Sequence, residues 1–141
     1  MGEVHFPSPQ IDGRQYVARR AAQAMLRSNG ATEVSLRITE PNGGTTADQL
    51  GITLPSVEDV PLSPAVVRPV SGPNESKQRY EVLIGYESLE QAIGNYGIDD
   101  VATWLLTSVA LIYGKRMLHV DTVIVDHYAG AEFLYRVLAS E

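Results

Sequence analysis

His119-Val120-Asp121 and Asp126-His127 place two imidazoles and two carboxylates in one short stretch, a dense set of groups suited to metal binding or proton transfer. On an extended strand the (i, i+2) spacing puts His119 and Asp121 on one side. His127 shares that parity but lies about 26 Å further along, at about 3.3 Å per residue. A catalytic metal takes at least three protein ligands, each held by a partner of its own. Two do not suffice, and a solvated strand face followed by a turn accounts for the same residues.

Other chemistry fails on residue type. The chain has no cysteine, which removes disulfides, thiolate zinc sites, iron–sulfur clusters and cysteine nucleophiles together. No G-x-S-x-G elbow occurs. Gly114-Lys115 has the ending of a phosphate-binding P-loop, but Val109 stands where its first glycine belongs and Arg116 where the magnesium-binding hydroxyl belongs. Asp99-Asp100 offers paired carboxylates, yet adjacent acids ahead of an apolar run are better placed to cap a helix. The expectation is therefore no catalytic residue, no metal and no cofactor.

The elements that position these groups follow from periodicity. Residues 1–12 carry Pro7 and Pro9 in a Phe-Pro-Ser-Pro context that fits neither a regular helix nor a central strand, and read as an extended arm. Residues 14–28 are alanine-rich, with Val17, Ala21, Ala24, Met25 and Ser28 on one face; Asp12 can cap the start and Asn29-Gly30 the end. Val34 to Thr39 alternates strictly and predicts a half-buried strand. From 40 to 64 the chain carries Glu40, Asp48, Glu58 and Asp59 with no Lys or Arg, and reads as a long acidic loop. Ala65–Val70 and Arg79–Tyr86 flank a turn and predict a hairpin, followed by a short helix over 88–96 and a helical turn ending near 106. Residues 108–138 read as β-hairpins turning at Gly114-Lys115 and Ala129-Gly130. On the middle strand, alternation puts Leu118, Val120 and Ile124 on the core face, opposite His119, Asp121, Val123 and Val125.

The 141 residues are enough for one core. The expected fold is mainly β (α+β): a single domain with a small antiparallel β-barrel or curled sheet, an N-terminal helix, and one or two short helices in an insertion. Eleven basic residues against seventeen acidic ones give a net charge of −6, which works against coating DNA or an anionic membrane. The first residues lack the basic-then-apolar pattern of a signal peptide, so the expectation is synthesis in the cytoplasm with no membrane partner. Charge is unevenly spread: Arg19 and Arg20 on the helix against Asp48, Glu58 and Asp59 on the loop. With Phe6 and Pro7 on the arm and Lys115 and Arg116 at the hairpin turn, these are the candidate contacts to partner subunits.

Two resemblances bear on function. Arg79-Tyr80-Glu81-Val82-Leu83-Ile84-Gly85 followed by a helix resembles the N-terminal domain of ParB and sulfiredoxin-type proteins, which would imply a nucleotide- or nucleic-acid-binding module. Those families follow the glycine with a short motif carrying Arg or His, whereas Tyr86-Glu87-Ser88-Leu89-Glu90 follows it here. Most of the chain is similar to neck proteins of tailed bacteriophages, the head-closure or stopper type above all. The similarity runs through the helix ending Met25-Leu26-Arg27-Ser28-Asn29-Gly30, the strand Val34-Ser35-Leu36-Arg37, the long loop, and Gly114 through Leu138. It implies a structural virion protein, a homo-oligomeric ring of six or twelve copies in the head–tail connector, contacting portal or adaptor and tail proteins while genome DNA passes through without specific binding. Tail-completion and tail-terminator proteins share that physics at a different ring.

Overall fold

The computed structural model of the chain describes residues 13–39, 56–70 and 76–141. The arm at 1–12, with Phe6, Pro7 and the Asp12 cap, lies outside the described residues, as does Asp48. Helix α1 (Gly13–Ser28) stops where expected, with Gly30 at a φ of 77°. Strand β1 (Val34–Thr39) buries Val34, Leu36 and Ile38 in strict alternation. Strands β3 (Ala65–Pro69) and β4 (Arg79–Gly85) form the expected antiparallel hairpin. Helix α2 (Tyr86–Tyr96) ends at Gly97 in the left-handed region. Asp100 caps α3 (Val101–Leu106), its carboxylate accepting the Thr103 N–H at 3.2 Å and the Thr103 hydroxyl at 2.7 Å. Strands β5 (Ala110–Tyr113), β6 (Arg116–Tyr128) and β7 (Ala131–Ser140) complete the chain, turning at the two predicted dipeptides.

The segment 40–64 departs from its expected loop where it is described. Val57–Pro61 is a strand, β2, paired antiparallel with β1 from Ser35↔Pro61 to Thr39↔Val57. The edge of β1 supplies the hydrogen bonds, and burial of Val60 and Leu62 supplies the driving force. Neither is visible in a run of acidic and turn-forming residues.

All seven strands join one antiparallel sheet in the order β2-β1-β5-β6-β7-β4-β3. The connection between its two ends forces the shape. Adjacent strands lie about 4.8 Å apart, so a flat sheet would hold β2 and β3 roughly 29 Å from each other. The chain from Pro61 to Ala65 spans at most about 14 Å. The sheet therefore curls until Thr32, just ahead of β1, exchanges hydrogen bonds of 2.7 and 3.1 Å with Ala65. That single bridge joins the ends without closing a barrel, so the curled-sheet form is the one found. Leu36, Leu62, Val82, Ile84, Leu111, Leu118, Tyr135 and Val137 fill the interior, and Leu89 of α2 with Val101 and Leu105 of α3 pack into the same cluster. Helix α1 lies on the outer side, where Leu26 meets Val66, Leu134, Leu83 and Phe133.

Two further expectations are corrected. The register of β6 against β7 slips between Val120 and Thr122, so Asp121 is an extra residue in the strand. A bulge of one residue exchanges the faces of everything after it. Val123 and Val125 consequently pack on the core, whereas Ile124 is 38% exposed. On α1, the face of Val17, Ala21, Ala24, Met25 and Ser28 points outward; Arg19, Ala22, Gln23 and Leu26 are buried instead. The sheet offers the helix polar partners as well as apolar ones, and the residues able to use both sit on the second face.

Candidate functional site

Arg19 shows what holds α1 in place. Its Nε donates to the Glu132 carbonyl at 2.9 Å and its guanidinium lies 3.5 Å from the centre of the Tyr86 ring. The residue is 9% exposed, so it is removed from the solvated helix face expected for the arginines. Beside it the Tyr135 hydroxyl donates to the Glu132 carboxylate, and burial, reinforced by that carboxylate, pushes the phenol above its ordinary pKa. Gln23 donates to the Ser88 hydroxyl at 3.0 Å, and Ser88 donates onward to the Pro64 carbonyl at 3.1 Å. The amide oxygen of Gln23 is buried against Gly85, where a Cβ would stand 2.5 Å away. These contacts fix the inner face of α1 and leave the outer face free of the core.

That outer face is the first candidate surface. Val17 is 64% and Met25 47% exposed, with Tyr16, Ala21 and Ala24 also exposed between and beside them. Arg20 and Arg27 line the same groove. At the start of the helix, Gly13, Val17 and Ala18 face Tyr128 across an open apolar hollow of about 730 Å³.

Acidic residues gather next to it. Glu58 and Asp59 of β2 and Glu87 of α2 line a crevice of about 350 Å³ with Ser63, Asn95 and Tyr96. Asp59 is held by Arg37 through two bonds of 2.8 and 3.0 Å, and that hydrogen bonding keeps its carboxyl below the usual aspartate pKa. Glu87 also lines the α1 groove and lies 3.8 Å from the exposed Arg20. The fold thus brings Arg20, Glu58 and Asp59 to one side.

Lys115 and Arg116 lie elsewhere, at the β5–β6 turn. Lys115 is exposed, while Arg116 donates to Glu141 at 2.8 Å and to the Tyr80 hydroxyl. His119 and Asp121 come within 3.7 Å of each other on the exposed side of β6. Asp126 does not join them, because Arg136 engages both its oxygens at 3.0 and 3.1 Å. Among the described residues no group of three or more potential ligands comes together. The Arg37–Asp59 pair was invisible in the sequence because its acidic member fell in a stretch read as loop.

Among the described residues, no helix is long and apolar enough to cross a membrane. Comparison with protein-family models, with curated proteins and with solved structures finds no match to this chain.

Proposed function

We propose that this chain is a structural virion protein of a tailed phage. It forms a homo-oligomeric ring in the neck, of the head-closure type, between the portal or adaptor and the tail proteins. Copies accumulate in the host cytoplasm before assembly and occupy the neck afterwards. The chain makes and breaks no bonds in this role, and DNA slides past its net negative charge without being held.

The observation that carries the reading is the outer face of α1. Val17, Ala21, Ala24 and Met25 form an apolar stripe that the sheet does not cover. A folded domain gains nothing from exposing such a stripe, and contiguous apolar surface rimmed by charge suits contact with another protein. Arg20 and Arg27 supply a basic rim, and acidic residues stand at Glu58, Asp59 and Glu87. Neighbouring charges of both signs around an apolar stripe supply complementary contacts to a second protein, the kind of contact a ring repeats from copy to copy.

The test is negative-stain electron microscopy with sedimentation of the purified chain, alone and with portal, adaptor and tail proteins. Rings of six or twelve copies are expected, and Val17→Glu should leave the circular dichroism spectrum unchanged while abolishing the rings. A chain that stays monomeric under every one of these conditions refutes the proposal.

A further inference from the structure

The two ends of the curled sheet meet at a seam. On one side β2 runs along β1, and Leu62 extends that pairing by one bond, its N–H donating to the Val34 carbonyl at 2.9 Å. On the other side β3 runs along β4 from Ala65↔Ile84 to Pro69↔Tyr80. Among the described residues, the only backbone pairing from one side to the other is the Thr32–Ala65 bridge, with its bonds of 2.7 and 3.1 Å. Local opening starts where pairing is thinnest, and in this sheet that place is the seam.

The peptide unit between Pro64 and Ala65 is bonded from both directions. Its N–H, on Ala65, donates to the Thr32 carbonyl at 3.1 Å; its carbonyl, on Pro64, accepts from the Ser88 hydroxyl of α2 at 3.1 Å. Ser88 in turn accepts from the Gln23 amide of α1 at 3.0 Å. The chain of bonds therefore runs in one sense, from the Gln23 N–H through the Ser88 hydroxyl and the 64–65 peptide to Thr32, and bonds aligned in this way polarise and strengthen one another. Helix α1 itself packs on β3, β4 and β7, all on one side of the seam, and the relay carries its position across. Gln23 is 4% exposed, so water does not compete for its donor. Its amide oxygen acts the other way: buried without a partner, it gains a hydrogen bond to water when α1 lifts, which lowers the cost of lifting.

We infer that α1 is a strap on the seam. Seated, it holds the 64–65 peptide against Thr32 through Gln23 and Ser88; lifted, it lets the two ends of the sheet part. Parting bares the backbone groups of Thr32 and Ala65 and the side chain of Leu62, which is fully buried in the closed form. Strand edges freed in this way accept a strand from a partner. The strap belongs to the single chain, so it goes beyond the neck reading above and does not rest on it.

Amide hydrogen exchange on the purified chain, resolved residue by residue by NMR, tests the strap. The Thr32 and Ala65 N–H groups both donate within the bridge, so they report the seam directly. Ser88→Ala cuts the relay at its middle and Gln23→Met cuts it at its α1 end. In both variants these two amides should exchange about tenfold faster. Ser88→Thr keeps the hydroxyl and should hold them at the original rate. Amides in the middle of β4 and β7 should keep their protection in all three variants, which separates an opened seam from a weakened domain. Gln23→Met weighs most, because residue 23 lies on a different element from either half of the bridge. Unchanged exchange at Thr32 and Ala65 in either Gln23→Met or Ser88→Ala overturns the inference, and so does a uniform acceleration across the sheet. The two readings separate cleanly: rings built from a chain whose seam ignores both substitutions sink the strap alone, and a chain with the coupling that never forms rings sinks the neck assignment alone.

Discussion

Replacing Arg19 with Met keeps most of the aliphatic stem and deletes the guanidinium. What is lost is a charged hydrogen bond to the Glu132 carbonyl and a cation–π contact with Tyr86. The first is worth about 1.5–3 kcal/mol and the second about 0.5–2 kcal/mol. Both hold one side chain, so they do not add in full, and a loss of about 2–3 kcal/mol is expected. At about 3–4 °C per kcal/mol for a domain of this size, the melting temperature should fall by roughly 6–12 °C. Arg20→Met is the control. Its side chain is 64% exposed, its ion pair with Glu87 is long at 3.8 Å and its guanidinium stands 5.8 Å from the Tyr16 ring, so the change should stay within about 0.5 kcal/mol. The assay is urea unfolding followed by tryptophan fluorescence, with a double-mutant cycle between Arg19→Met and Tyr86→Leu to isolate the ring contact. Equal, small effects at positions 19 and 20, with a coupling of zero, would show that α1 does not dock through Arg19.

Three other outcomes follow from the same structure. Val123→Asp should unfold the domain or cost about 3 kcal/mol or more, while Ile124→Thr should change stability by under about 1 kcal/mol; the reverse order in denaturant melts would mean that Asp121 is not a bulge. Gly85→Ala should destabilise by about 1–3 kcal/mol, because the new Cβ meets Gln23 Oε1 at 2.5 Å and Leu26 Cδ1 at 3.3 Å; Gly85→Ala combined with Gln23→Ala should recover part of the loss in thermal melts. Asp59 and Asp100 both have lowered pKa values, Asp59 through the Arg37 hydrogen bond and Asp100 through Thr103. Their stabilisation is therefore present above the ordinary aspartate value of about 3.9 and is lost as pH falls through the lowered values. Melts from pH 6 down to about pH 2 should steepen in that lower window, and Asp100→Asn should flatten the slope. An unchanged slope would remove Asp100 as the cause.

Local signals carried far in this chain. The ends of α1 at Gly30 and of α2 at Gly97, the cap at Asp100, and the turns at Gly114-Lys115 and Ala129-Gly130 were all legible. Each depends on the backbone preferences of a few adjacent residues, which act alike in any context. The outer surface of α1 was legible only in part. The stripe at Val17, Ala21, Ala24 and Met25 could be read as one helix face, but not as the face left outside.

The sequence by itself determined that the protein is mainly β with a leading helix, acidic overall, and free of thiol chemistry, because those properties belong to composition and to periods of two and 3.6 residues. Tertiary structure alone decided which side of α1 is buried, since Arg19 finds its acceptor 113 residues away. It also made a strand of 57–61 by offering it the edge of β1, and exchanged the faces of β6 through one extra residue at Asp121. Each of these is a choice between locally equivalent arrangements, and the free energy that settles it comes from partners distant in the chain.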